Sequence, residues 1–129
     1  MIKIIMILAA ALNLYANIEI SQNMKALYKN VELSEAQENY IFDNQEVCRR
    51  ILSQQLKKTT KGYKILNEKN IVQFTIKPNG EISKIIFLKE SGNIRLDRET
   101  KRAVRIAAKK FPRPVEKTEM RYIIKIKKG

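Results

Sequence analysis

The clearest pattern along the chain is alternation. From Ile71 to Lys77, Val72, Phe74 and Ile76 fall on one side and Gln73, Thr75 and Lys77 on the other, as in a half-buried strand. Pro78-Asn79-Gly80 follows as a turn, since Asn and Gly tolerate the positive φ angles that tight hairpin turns require. The returning strand, Glu81 to Lys89, carries Ile82 on one parity and Ile85 and Phe87 on the other, so a single alternation cannot bury all three. A bulge near Ser83-Lys84 reconciles them. A third alternating run, Thr118 to Lys127, sets Met120, Tyr122, Ile124 and Ile126 against Arg121, Ile123, Lys125 and Lys127.

Helical spacing fills the intervals. Cys48, Ile51, Leu52 and Leu56 share one face of a helix expected from Asn44 to Lys58, which Gly62 terminates. A second helix runs to about Lys110, with Asp97 expected to cap its first turn. Its apolar stripe is Leu96, Thr100, Ala103, Ala107 and Phe111, and the opposite side is a basic face of Arg98, Lys101, Arg102, Arg105 and Lys109. Phe111-Pro112-Arg113-Pro114 stops it. From Ile18 to Tyr40 the pattern is helical but patchy, with Met24, Leu27 and Tyr28 on one short stripe and Ser34 and Gln37 spaced as a capping box. This extension is either a lid packed on the domain or an arm for a partner.

These elements predict an α+β fold: helix, strand, strand, helix, strand, with the helices on one face of a three-stranded antiparallel or mixed sheet and an N-terminal helical extension. A strand-helix-strand crossover is easiest when the first strand is central, and that leaves the last strand as an edge with unpaired backbone groups. The expected organisation is residues 1–16, 17–43 and 44–129: a signal peptide, the extension and the domain.

The N-terminus changes the picture of location. Lys3 precedes an apolar run from Ile4 to Leu12, then Asn13-Leu14-Tyr15-Ala16, in the outline of a secretory signal cut after Ala16. The run is shorter than the roughly 20 residues of a spanning helix, so export with cleavage is favoured over retention as a membrane anchor. Charge adds a constraint on partners. The 129 residues hold 26 Lys and Arg against 13 Asp and Glu, a net +13 spread along the chain, which suits nucleic acid, anionic lipid or acidic polymers. Against nucleic acid, no aromatic residue interleaves the basic face to stack on bases.

Candidate chemistry is sparse. The chain has no histidine and one cysteine, Cys48, which excludes an intramolecular disulfide and the usual zinc, haem and triad sites. Cys48 reads as a core thiol. The carboxylates have turn, cap or surface positions, and no nucleophile with a base is visible. No catalytic residue, metal or cofactor is assigned.

The ordered set of the strand from Ile71, Pro78-Asn79-Gly80, Ile82 with Ile85 and Phe87, Ser91-Gly92, Leu96-Asp97, Ala103-Val104-Arg105, Phe111-Pro112-Arg113-Pro114 and the closing strand resembles the C-terminal domain of the TonB family of energy transducers. The resemblance covers about half the chain. The related TolA domain is similar in fold, but Phe-Pro-x-Pro and the Ser-Gly before the helix look more like TonB. The resemblance implies a non-enzymatic periplasmic module that adds a short extended peptide of an outer-membrane transporter as a strand beside its last strand. Mapped here, the partner-binding residues are Thr118, Met120, Arg121, Tyr122, Ile123, Ile124, Lys125 and Ile126. The main chain supplies affinity to such a strand and alternate side chains give specificity. Lysines on an edge strand also repel unwanted pairing, which points to an acidic or neutral partner; homodimerisation through the extension or the edge is a second option. A complete transducer would carry a spanning anchor and a proline-rich spacer, whereas the three prolines here are Pro78, Pro112 and Pro114.

Overall fold

The computed structural model describes residues 17–21, 24–60 and 67–127. The expected signal peptide and the helix-breaking Gly62 lie outside these residues. In order the elements are β1 (Asn17–Ile20), α1 (Met24–Leu27), α2 (Glu35–Asp43), α3 (Gln45–Thr59), β2 (Glu68–Ile76), β3 (Ile86–Lys89), α4 (Ile94–Ala107, continued by a 3-10 turn, Ala108–Lys110) and β4 (Thr118–Lys127). The α+β fold is as expected, but the sheet has four strands in the order β1-β4-β2-β3. All three pairings are antiparallel, so β3 and β4 run parallel to one another on either side of β2.

The core lies between the sheet and α2, α3 and α4. Val72, Phe74 and Ile76 of β2 and Met120, Tyr122, Ile124 and Ile126 of β4 are buried, as the alternation requires. They meet Cys48, Leu52 and Leu56 from α3 and Leu96, Ala103, Val104 and Ala107 from α4. The small residues Ala103 and Ala107 of α4 are buried, and its backbone lies close to α3. Phe74, Phe111 and Tyr122 form an aromatic trio with ring centroids 6.1 to 6.5 Å apart, within the range of favourable ring pairs. One polar cluster is buried among these groups: Asn70 donates through Nδ2 to Asp97 Oδ1 and Thr100 Oγ1, each at 3.0 Å.

Several local expectations hold in detail. Ile76 faces Ile82, whereas Gln73 faces Ile86, so three steps on β2 match four on the returning chain. The extra residue falls after Ser83, where a bulge was required, and Ile82, Ile85 and Phe87 all reach the core side. The Ser34 capping box is formed, with Gln37 N–H donating to Ser34 Oγ at 3.1 Å and Ser34 N–H donating to Gln37 Oε1 at 2.9 Å.

Other expectations are corrected. Residues 17–20 are a strand, not part of a helix: Ile18 and Ile20 both become buried only when extended along β4. The cap of α4 is Asn93, whose Oδ1 accepts from the N–H groups of Arg95 and Leu96. Asp97 sits one turn later and instead accepts from Ser91 N–H and the Asn70 side chain. In the hairpin turn, Asn79 is not at positive φ; Gly80 alone takes it, at 89°, and its N–H donates to Lys77 C=O at 2.8 Å. A type I turn followed by one left-handed residue explains this.

Candidate partner-binding edge

The largest correction concerns the last strand. β4 is not at the edge of the sheet: β1 pairs outside it, Asn17 opposite Lys127 through Ile20 opposite Ile124. One further bond, from Ser21 N–H to Ile123 C=O at 3.1 Å, ends the pairing. The four-residue β1 covers less than half of the ten-residue β4.

Beyond Ile123 the outer side of β4 is met by the Tyr28 side chain. The Tyr28 hydroxyl donates to Glu119 C=O at 3.0 Å and accepts from Arg121 N–H at 2.8 Å. One oxygen atom thus occupies the place of the carbonyl and amide that a neighbouring strand would present. These bonds establish that the backbone groups of Glu119, Arg121 and Ile123 point outward, and the alternation of an antiparallel ladder turns those of Met120 and Tyr122 towards β2.

Tyr28 is held from two directions. It is buried, 5% exposed, at the end of α1. The Arg121 guanidinium lies 5.8 Å from its ring centre and donates to Leu27 C=O at 2.9 Å, while Glu119 pairs with the same guanidinium at 3.1 Å. Burial pushes the Tyr28 phenol well above its ordinary range, so it stays a neutral donor and acceptor. At the other end, Lys127 Nζ donates to Glu19 at 2.9 Å. That hydrogen bond and the lysine charge hold the Glu19 carboxyl below its ordinary value.

The expected partner residues divide by parity. Thr118, Met120, Tyr122, Ile124 and Ile126 have buried side chains facing the helices, while Arg121, Ile123 and Lys125 project to the open face of the sheet. A strand laid along β4 would reach the first group only through what that group packs against. Sequence reasoning missed Tyr28, Glu19, Ile18 and Ile20 as elements of this edge. A short alternation, Ile18-Glu19-Ile20, was the available signal for three of them; Tyr28 had none.

The basic face is distributed differently. Arg98, Arg102, Arg105 and Lys109 are exposed on α4 and its 3-10 turn, whereas Lys101 is half-buried with its ammonium 5.7 Å from the Phe87 ring centre. Arg105 and Lys109 also line a groove with Gly80, Ile82, Phe111 and Arg113. Beneath the edge, Cys48 is buried beside Tyr40 and Tyr122, and burial pushes its thiol up to about 11, which makes it unreactive near neutrality. Among the described residues no group of three or more His, Cys, Asp or Glu is placed to hold a metal, and no helix is long and apolar enough to cross a membrane.

The TonB C-terminal family model matches residues 44–127. The chain belongs to the TonB C-terminal domain family. The solution structure of the TonB C-terminal domain of Helicobacter pylori shares the fold with a TM-score of 0.56 at 20% identity, over 81% of this chain and 92% of that one. No curated protein matches the chain. TonB C-terminal domains are protein-interaction modules that typically engage outer-membrane transporters.

Proposed function

We propose that this TonB-type domain acts in the periplasm as a non-enzymatic adaptor, capturing an extended peptide of an envelope or outer-membrane transporter protein as a strand on the outer side of β4. The observation that carries the reading is the provisional closure of that side. Outward backbone groups from Glu119 to Ile123 are met by one tyrosine hydroxyl and the end of a four-residue strand. An incoming strand would replace these with a continuous ladder, and main-chain bonds of that kind supply affinity without demanding much of the ligand sequence. The lysine-rich surround favours a neutral or acidic peptide.

The N-terminal sequence supports export with removal of residues 1–16, leaving Asn17 first in the mature chain. Recovery of a periplasmic chain beginning at Asn17 would agree with this; a membrane-bound chain retaining Met1 would overturn it. The binding mode is tested by titrating the isotope-labelled protein with peptides from transporters of the same organism. Saturable shifts of amide signals from Thr118 to Ile126 are expected. Absence of any shift there with every such peptide would overturn the proposal.

A further inference from the structure

The chain already carries a strand on the proposed binding edge, and its chemistry is legible. Ile18 and Ile20, 7% and 4% exposed, point to the core side and extend its apolar surface beside Ile124 and Ile126. Glu19 points to the open face between them, directly across from Lys125 and bonded to Lys127 at 2.9 Å. On that face Lys69 is opposite Lys125 on the β2 side. Three lysines therefore gather at this end of the sheet, and Glu19 is the carboxylate that β1 brings to them. An occupant lacking the two aliphatic side chains would leave core surface wet; one with a cation at the middle position would face lysines on the neighbouring strand.

From this arrangement we infer that β1 is a displaceable stand-in for the partner, and that the partner segment is an extended peptide with two aliphatic residues flanking an acidic one. This rests on the strand-addition reading and adds to it the side-chain pattern of the ligand. The short length of β1 fits the role. It closes only the end of β4 nearest Lys127, and the remainder is held by Tyr28, so a longer strand gains pairing that β1 lacks. Because β1 is tethered to the domain, it competes at the high effective concentration of an intramolecular ligand. Weakening it should therefore tighten the binding of a short peptide.

The experiment uses the full chain and its Glu19→Lys variant, which breaks the Lys127 pair and sets like charges across the strands. Three capped peptides are compared: Ser-Asn-Ile-Glu-Ile-Ser, the same peptide with lysine in place of glutamate, and a version with the glutamate and the first isoleucine exchanged. The glutamate peptide should bind the variant roughly tenfold tighter than the lysine peptide, since favourable and unfavourable cross-strand charge pairs differ by about that factor. It should shift the Ile123 to Lys127 amides and move the Ile18 and Ile20 amides to unpaired positions, and its advantage should shrink in about 0.5 M salt. Lys127→Glu, at an exposed position, supplies a second variant in which the glutamate preference should fall to parity or reverse. Equal binding of all three peptides at β4 would overturn the inferred pattern while leaving strand addition standing. Binding by transporter peptides but by none of these three would do the same. If neither set perturbs β4 in any variant, both readings fail.

Discussion

Replacing Tyr28 by phenylalanine removes a single oxygen and leaves the ring against Arg121. That oxygen serves two backbone groups of β4, accepting from Arg121 N–H at 2.8 Å and donating to Glu119 C=O at 3.0 Å. A net hydrogen bond contributes about 1 kcal/mol, and leaving its partner unsatisfied raises the loss. Water can reach this side of the sheet once the hydroxyl is gone, so the expected destabilisation is about 1–2 kcal/mol. With a urea slope of about 1–3 kcal/mol per molar, the midpoint should fall by roughly 0.5–1 M with the slope unchanged. Hydrogen exchange gives the local readout. The Arg121 amide should exchange about tenfold faster, matching a loss near 1.4 kcal/mol, while the Met120 and Tyr122 amides, directed towards β2, keep their protection relative to the global stability. An unchanged Arg121 exchange rate together with an unchanged midpoint would refute the role given to this hydroxyl.

Four other outcomes follow from the core, the helix start and the buried titratable groups. Leu52→Ala, at a fully buried position on α3, should destabilise the protein by about 3 kcal/mol in chemical denaturation, the range for a core cavity. Asp97→Ala strips acceptors from Ser91 N–H and the buried Asn70 amide and should cost about 2 kcal/mol, whereas the cap substitution Asn93→Ala should cost about 1 kcal/mol. Stability should also decline in alkali. The Cys48 thiol rises from 9.0 unfolded to about 11 folded, so the unfolded chain loses its proton first; its contribution is intact below pH 9 and is lost between pH 9 and 11. Buried Tyr28, Tyr40 and Tyr122, all raised by desolvation, deepen the loss at higher pH. A flat stability profile from pH 8 to 11 would contradict that assignment.

Much of the fold was legible because its strands and helices carry strong periodicity. Val72, Phe74 and Ile76 against Met120, Tyr122, Ile124 and Ile126 specify two half-buried strands, and the small residues of α4 mark its buried stripe. The binding edge was less legible, for reasons of distance along the chain. Asn-Ile-Glu-Ile is too short to declare itself a strand, and its extended form depends on β4, more than 100 residues away at the Glu19 to Lys127 pair. Tyr28 reads as part of a helical stripe, and nothing local announces that its hydroxyl caps Glu119 and Arg121. Asn93 and Asp97 are both good capping residues; the choice between them turned on the buried Asn70, a tertiary partner that needs the Asp97 carboxylate.

The most direct test of strand addition is the pattern of intermolecular nuclear Overhauser contacts in a complex of the full chain with a transporter peptide. Contacts are expected between peptide backbone protons and the backbone protons of Glu119, Arg121 and Ile123, with loss of the Tyr28 hydroxyl bonds. Contacts confined to Arg98, Arg102 and Arg105 on α4, with the β4 signals unchanged, would contradict it.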